Sequence, residues 1–410
     1  MNAYFSTRPV LEFPVYSPES VFYSFSSIVE QAAKSPTIIP ATIMRGGTSK
    51  GVFIKDSDFP AWDDVAKRDR VIMAIMGTPD PMQIDGMGGT HSSTSKLVVV
   101  GPSAQAGIDL EYTFVQVGVD LPIVDYKGNC GNLTAAVGPF GLFEGLVAGV
   151  TPVTRLVLWN ANTRKRIIAE VPFQQSVMEQ GDFQIAGVPG TGAPVVIRFL
   201  EPAGTATGKL FPTGRTKDVI ETSGGEFEVS IVDVTNPVVF VRAADLGLAG
   251  IELPSSLNAD SALLERLEEI RRKAALVAGV HEDEEKAGRS NVPAIAFVGP
   301  PQDYVSTSGR TVQAVDLDLV ARIVSMRRVH HAYQGTGAMC TAAAARLQGT
   351  IPCEAAGGVS GGDVVLGHPK GMFRAEVDIE RTASGEEKVT RISVTRTARR
   401  LMRGMVYAYC

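Results

Sequence analysis

The feature that most constrains this chain is a faint internal repeat. Gly51-Val52-Phe53-Ile54-Lys55-Asp56-Ser57-Asp58-Phe59 resembles Val238-Val239-Phe240-Val241-Arg242-Ala243-Ala244-Asp245-Leu246. Each run follows a polar turn, at Thr48-Ser49 and at Thr235-Asn236-Pro237. Further along each half a helix is opened by a related triplet, Cys130-Gly131-Asn132 and Gln334-Gly335-Thr336, and both helices continue as Thr-Ala-Ala (Thr134-Ala135-Ala136 and Thr341-Ala342-Ala343). Self-similarity of this kind points to duplicated supersecondary units. The pattern predicts two β-rich halves, each carrying one buried helix of small residues.

The rest of the chain fits that plan. Ile38–Ile43, Leu97–Val100, Tyr112–Val119, Glu376–Ile379 and Val389–Val394 read as strands, and short β runs with Gly/Pro turns fill residues 150–242. Asp58-Phe59-Pro60 reads as a helix start and Gly77 as its stop. The first small-residue helix is expected from Leu133 to about Leu146, the second from Gly335 through Ala345. A clear amphipathic helix is capped by Asp260, lined by Leu263, Leu264, Leu267, Ile270 and Ala274, and ended by Gly279.

Composition excludes several function classes. A chain of 410 residues that is 44% hydrophobic and 20% charged is that of a globular enzyme. A net charge of -5 gives no global footprint for nucleic acid. No apolar run reaches the roughly 18 residues a membrane helix needs. The 4 cysteines (Cys130, Cys340, Cys353 and Cys410) are scattered without CxxC, and the 5 histidines lack the spaced pairs of zinc sites, so no metal is expected. His330-His331 is an adjacent pair whose rings should point to opposite faces of a strand. Residues 1–36 are rich in Phe, Tyr and Ser with few basic groups, which fits neither a secretory signal nor an Arg-rich transit peptide. They are expected to be an extension packed on the body, with a weak organellar signal as the second reading.

Chemistry concentrates around Cys130. A thiol at a helix start feels the positive end of the macrodipole and unpaired backbone N–H groups, which favour the thiolate. The same helix start suits a carboxylate, with Gly131 allowing close approach and Asn132 adding an amide; Gly335-Thr336 repeats the device. Two facing helix starts would hold a polyanion and an enolate-like charge. Lys96 ends the polar run Thr90–Ser95 and enters a strand. Such a lysine is commonly a solvated charge, but desolvated near Cys130 it becomes a base. Arg45-Gly46-Gly47-Thr48-Ser49-Lys50 and Gly204–Lys209 both fail the P-loop spacing, so nucleotide binding is not supported. Cys340 falls inside a helix and reads as core.

Four motifs then stand in order: Met44–Gly51 (MRGGTSKG), Gln83–Gly89 (QIDGMGG), Ser92–Lys96 (SSTSK) and Gly128–Ala135 (GNCGNLTA). With Gly367-His368-Pro369 and Ser325-Met326 they resemble the PrpF family from about residue 38 to the C-terminus. The resemblance implies the diaminopimelate epimerase-like fold: an α/β (α+β) chain of two pseudo-symmetric domains, each a curled sheet around a central helix, with the active site in the cleft between them. On that plan residues 1–36 form the extension, 37–195 plus 395–410 the N-terminal domain, and 196–394 the C-terminal domain. It further implies an isomerase that works without metal or organic cofactor on a small unsaturated di- or tricarboxylic acid. Activities of that family include 2-methylaconitate, aconitate and methylitaconate isomerisation and oxalomesaconate tautomerisation. Its acid/base pair corresponds to Lys96 and Cys130. The substrate contacts expected are Arg45, Thr48, Ser49, Gly131, Asn132, Asn236, Ser325, Gly335 and Thr336.

Departures from the related racemases are informative. Their second helix opens with cysteine, and here Gln334 stands in its place, so a two-thiol mechanism is unavailable. Ser325-Met326 replaces their Glu-Arg pair, which argues against an amino-acid substrate. Lys370 replaces the usual serine after His368-Pro369. Alternative readings are a keto/enol tautomerase of an oxalomesaconate-like acid, a non-catalytic partner of an aconitase-like iron–sulfur enzyme, and a plain carboxylate-binding module. A cytoplasmic location is expected, with a mitochondrial one as the second reading; neither nucleic acid nor membrane is an expected partner, and a homodimer is compatible with the sequence.

Overall fold

The computed structural model describes residues 35–59, 63–359, 361–383 and 385–410. The reading of residues 1–36 therefore falls almost wholly outside the described residues.

Two halves repeat one strand plan. The first runs Thr37–Gly46, Ser49–Lys55, Lys96–Pro102, Leu110–Val117, Val153–Asn160, Lys165–Pro172 and Val195–Leu200. Its successive pairings are antiparallel, parallel, antiparallel, parallel, antiparallel and antiparallel. The second runs Gly225–Val234, Asn236–Arg242, Ala294–Gly299, Leu319–Ser325, Asp363–His368, Gly371–Arg381 and Glu387–Arg396. Its pairings follow the same series. The last strands of the two series pair with each other, Val195–Leu200 against Glu387–Arg396, which joins the halves. Ala398–Ala408 then returns beside Thr37–Gly46, as Asp218–Thr222 lies beside Gly225–Val234. The repeat read from sequence falls on the equivalent strands Ser49–Lys55 and Asn236–Arg242, each followed by one turn of 3-10 helix.

Each half has a helix inside its curl and another outside. The inner helices, Gly131–Phe143 and Gly335–Arg346, are buried on every side through Gly141 and Ala345 respectively. Small residues let strands close around them, and larger ones such as Leu133, Val137 and Phe140 anchor the core, each contributing about 1.5–3 kcal/mol by burial. The outer helices are Val65–Met76 and Ser261–Val277. Val71, Ile72 and Ile75 cover Val52, Ile54 and Leu97, while Leu263, Leu267 and Ile270 cover Val239, Val241 and Ile295. The innermost strands are thus buried on both faces, which is why they read as continuous apolar runs rather than alternating ones.

Most elements expected from sequence are present, with shifted ends. Asp260 caps its helix by accepting the Leu263 N–H at 3.0 Å. Gly77 ends the first outer helix in the left-handed conformation at φ 80°. The start of that helix is a correction. It begins at Val65, not at Asp58-Phe59, because the Asp64 carboxylate accepts the Lys67 N–H at 3.0 Å. The first inner helix ends at Phe143 rather than Leu146. No helix among the described residues is long and apolar enough to cross a membrane.

Candidate active site

The two inner helices meet at their N-termini. A Cβ built on Gly335 would lie 2.9 Å from the Asn132 nitrogen, and one on Gly131 would lie 3.2 Å from the Thr336 nitrogen. Only glycine at both positions permits so close an approach of two backbones. Several side chains lock the junction. Asn236 donates through Nδ2 to the Asn129 carbonyl and to Thr336 Oγ1, both at 3.2 Å, and its Oδ1 accepts the Asn129 N–H at 3.2 Å. The hairpin that presents Asn236 turns through Thr235, a β-branched residue at φ 59°. Such a conformation is strained, and Thr235 Oγ1 is held by the Thr336 carbonyl at 2.9 Å.

Cys130 is the cap residue of the first inner helix. Its carbonyl accepts the Thr134 N–H at 2.9 Å, its own N–H donates to Asn129 Oδ1 at 2.7 Å, and its thiol donates to Ser49 Oγ at 3.7 Å. The sulfur thus sits at the N-terminus of the helix, beside its first backbone N–H groups. Lys96 opens the strand Lys96–Pro102 and pairs in register with Gln116. Its Nζ donates to Gln116 Oε1 and lies 5.2 Å from the Phe114 ring centroid. The Gln116 amide is held in that orientation by its Nε2, which donates to the carbonyls of Ser92 at 3.2 Å and Ser95 at 3.0 Å. Lys96 is buried, and burial pushes its pKa down; negative charge on Cys130 opposes that shift.

Lys96 and Cys130 line one cavity, together with Ser49, Asn132, Asn236, Ser325, Gly335 and Thr336 from the expected set. Three expected residues do not line it. Thr48 turns away and accepts a hydrogen bond from Asn132 Nδ2 at 3.0 Å on the far side of that amide. Arg45 does not line the cavity: its Nη1 donates to the carbonyls of Gly47 and Thr397 and to Thr397 Oγ1, at 2.9–3.0 Å. Gly131 stands at the helix junction beside the cavity rather than on its wall.

Sequence reasoning missed Phe114, Gln116, Asn129, Asn291, Gln334 and His330 as lining residues. Gln334 had a signal, since it occupies the start of the second inner helix. Gln116 had none, because its role follows from strand register. The histidine pair is a correction: His330 and His331 stack with ring centroids 4.7 Å apart instead of facing opposite ways. They follow the short strand Arg328–Val329 in a bend, where strand alternation does not apply. His330 Nδ1 accepts the Ala332 N–H at 3.1 Å, and burial first and His331 second push its pKa well below the usual imidazole value. Lys370 lies outside the cavity, beside Ser306 and Gly187 in a separate groove. Among the described residues no three His, Cys, Asp or Glu side chains converge as a metal site.

The arrangement defines a class: two similar halves that bring two helix N-termini, a thiol and a desolvated amine around one enclosed cavity, suited to proton transfer on a bound carboxylic acid. The chain belongs to the PrpF protein family, whose pattern it matches over residues 37–409. It is 45% identical over 374 residues to the 3-methylitaconate isomerase of Eubacterium barkeri, covering 90% of this chain and 97% of that one. It is 44% identical over 382 residues to the 2-methyl-aconitate isomerase of Shewanella oneidensis, covering 90% and 96%. The crystal structure of a methylitaconate-delta-isomerase superposes with a TM-score of 0.73 at 44% identity, over 91% of this chain and 96% of that one. A hydroxyproline epimerase from Agrobacterium vitis shares the fold at a TM-score of 0.54 and 13% identity, over 90% and 93% of the chains.

Proposed function

We propose that this chain is an isomerase that shifts the double bond of an unsaturated di- or tricarboxylic acid of the methylitaconate, 2-methylaconitate or aconitate type. The observation that carries this reading is the placement of Cys130 and Lys96 in one cavity at the meeting of two helix N-termini. Substrate carboxylates rest on the backbone N–H groups of Asn132 and Thr336, with Ser49, Asn236 and Ser325 as further contacts. One of Lys96 and Cys130 removes a proton from the carbon next to a carboxylate. The charge spreads over the conjugated carboxylate, and the helix starts stabilise it. The other group returns a proton at the far allylic carbon. Atoms and charge balance within the substrate and these two side chains.

The cavity measures about 40 Å3, far below the roughly 300–1,000 Å3 of small-molecule sites. Entry therefore requires the halves to part about the strand pair that joins them, Val195–Leu200 of the first half and Glu387–Arg396 of the second. Closure around the acid excludes water and keeps Lys96 desolvated.

The test is a substrate panel. The purified chain is incubated with methylitaconate, 2-methylaconitate, cis- and trans-aconitate and an oxalomesaconate-like keto acid, followed by absorbance and proton NMR. Isomerisation of at least one unsaturated acid is expected. Turnover of the keto acid alone would assign the tautomerase reading, and no turnover of any acid would overturn the proposal.

A further inference from the structure

Behind the amide of Asn132 lies a second, larger cavity of about 440 Å3 that the proposed reaction does not use. Asn132 lines both this cavity and the Cys130 cavity, and Thr48, hydrogen-bonded to its amide, lines the larger one. Its floor is the strand pair that joins the halves, Val195–Leu200 against Glu387–Arg396.

One charged group on that floor lacks the partner its burial demands. Arg396 is 7% exposed, and among the described residues no carboxylate lies within 4.0 Å of it. Its guanidinium stacks 4.0 Å from the Phe373 ring centroid, and the hydrogen bond it makes is from Nη1 to the neighbouring Thr395 carbonyl at 3.0 Å. Burial alone pushes its pKa down to about 9. Buried charges are otherwise paired. The acids at the rim are committed elsewhere: Asp363 to Arg374 at 2.9 Å, and Glu376 to Arg391 at 3.2 Å. Arg198 is paired with Glu170 at 2.5 Å, and His368 is held neutral by burial with a pKa of about 3, to which the charges of Arg322 and Arg396 contribute. The cavity therefore carries uncompensated positive charge.

The structure assigns this cavity as a second anion site, separate from the catalytic one, that takes a carboxylic acid with a short apolar body. Arg396 holds the carboxylate through its guanidinium edge. Phe183, Ile185, Val196, Met372 and Phe373 receive the hydrocarbon part. A planar carboxylate matches one guanidinium edge, whereas a phosphate would demand more donors than the floor supplies. Because Asn132 lines both cavities, an acid bound here presses on a residue that faces the proposed reaction.

Calorimetric titration of the full chain tests the assignment, with methylsuccinate, a saturated acid that cannot isomerise, and inorganic phosphate as probes. Methylsuccinate is expected to bind at two sites per chain, and Cys130→Ser to keep both. Arg396→Gln should weaken one of the two about tenfold or more while sparing the other. Arg396→Lys, a milder change that keeps the charge and guards against misfolding of the glutamine variant, should weaken the same site less. One site in the unmodified chain, or two sites of unchanged affinity in both variants, would overturn the assignment. Filling of the Arg396 site by phosphate and not by methylsuccinate would overturn the ligand class.

Discussion

Replacing Gly335 with alanine adds one methyl group at the point where the helix starts meet. The new carbon would lie 2.9 Å from the Asn132 nitrogen, 3.2 Å from its Cγ and 3.3 Å from the Gly131 carbonyl carbon. Ordinary contact begins near 3.4 Å, so the shortfall against the backbone nitrogen is about 0.5 Å (3.4 less 2.9). Backbone on both sides must absorb it. Alanine favours a helix over glycine by about 1 kcal/mol, and overpacking costs about 1–3 kcal/mol, so net destabilisation stays below about 2 kcal/mol. Rate is far more sensitive, because a misplacement of about 1 Å can cost about a hundredfold. A shift of half that size at the carboxylate-holding N–H groups should lower kcat about tenfold with a small change in melting temperature. Gly337→Ala, two residues along the same helix, is the control. Its methyl meets the Cδ1 end of the Ile323 side chain, which can swing aside, so kcat should stay within about twofold. Steady-state kinetics on the best substrate from the panel decide the matter. Normal kcat in Gly335→Ala would refute the role given to the helix junction.

Further outcomes follow from named contacts. Gln116→Leu removes the oxygen that accepts from Lys96 Nζ, so the charged amine loses support and the Lys96 pKa, already lowered by burial, falls further. The limb of the pH–rate profile that Lys96 governs should move to lower pH by about one unit, whether the amine acts as base or acid. An unmoved profile would detach Lys96 from proton transfer. Arg45→Gln breaks the bonds to Gly47 and Thr397, and should lower stability by about 1.5–3 kcal/mol in denaturant unfolding with KM changed less than about twofold. A large KM effect at unchanged stability would instead restore Arg45 as a substrate contact. Asn236→Ala unties the Asn129 carbonyl and Thr336, and should raise KM and lower kcat together, since the residue joins the halves as well as facing the substrate; a KM effect alone would make it a binding contact only.

The duplication was legible because equivalent strands keep similar apolar runs and the two inner helices keep the same Gly and Thr-Ala-Ala pattern. Cys130 and Lys96 were legible because each sits in an unusual local setting, a helix start and a strand entrance after a polar run. Arg45 was misplaced by sequence reasoning, since nothing local shows that Thr397, more than three hundred positions away, captures its guanidinium. Gln116 was invisible for a related reason: its contact with Lys96 is set by antiparallel register, not by neighbours in the chain. The start of the first outer helix went astray because several acids stand near it (Asp56, Asp58, Asp63 and Asp64), and only the carboxylate that reaches a free N–H, that of Asp64, makes the cap. His330 and His331 were read with strand alternation in a stretch that bends.

Cys130 and Lys96 acting as paired proton carriers can be tested by single-turnover isomerisation in deuterium oxide. The unmodified chain should place solvent deuterium at the allylic carbon that gains the proton, and Cys130→Ser and Lys96→Ala should each slow that uptake by about a hundredfold or more while the folded structure persists. Uptake at the unmodified rate in either variant, with product formed normally, would contradict the pairing.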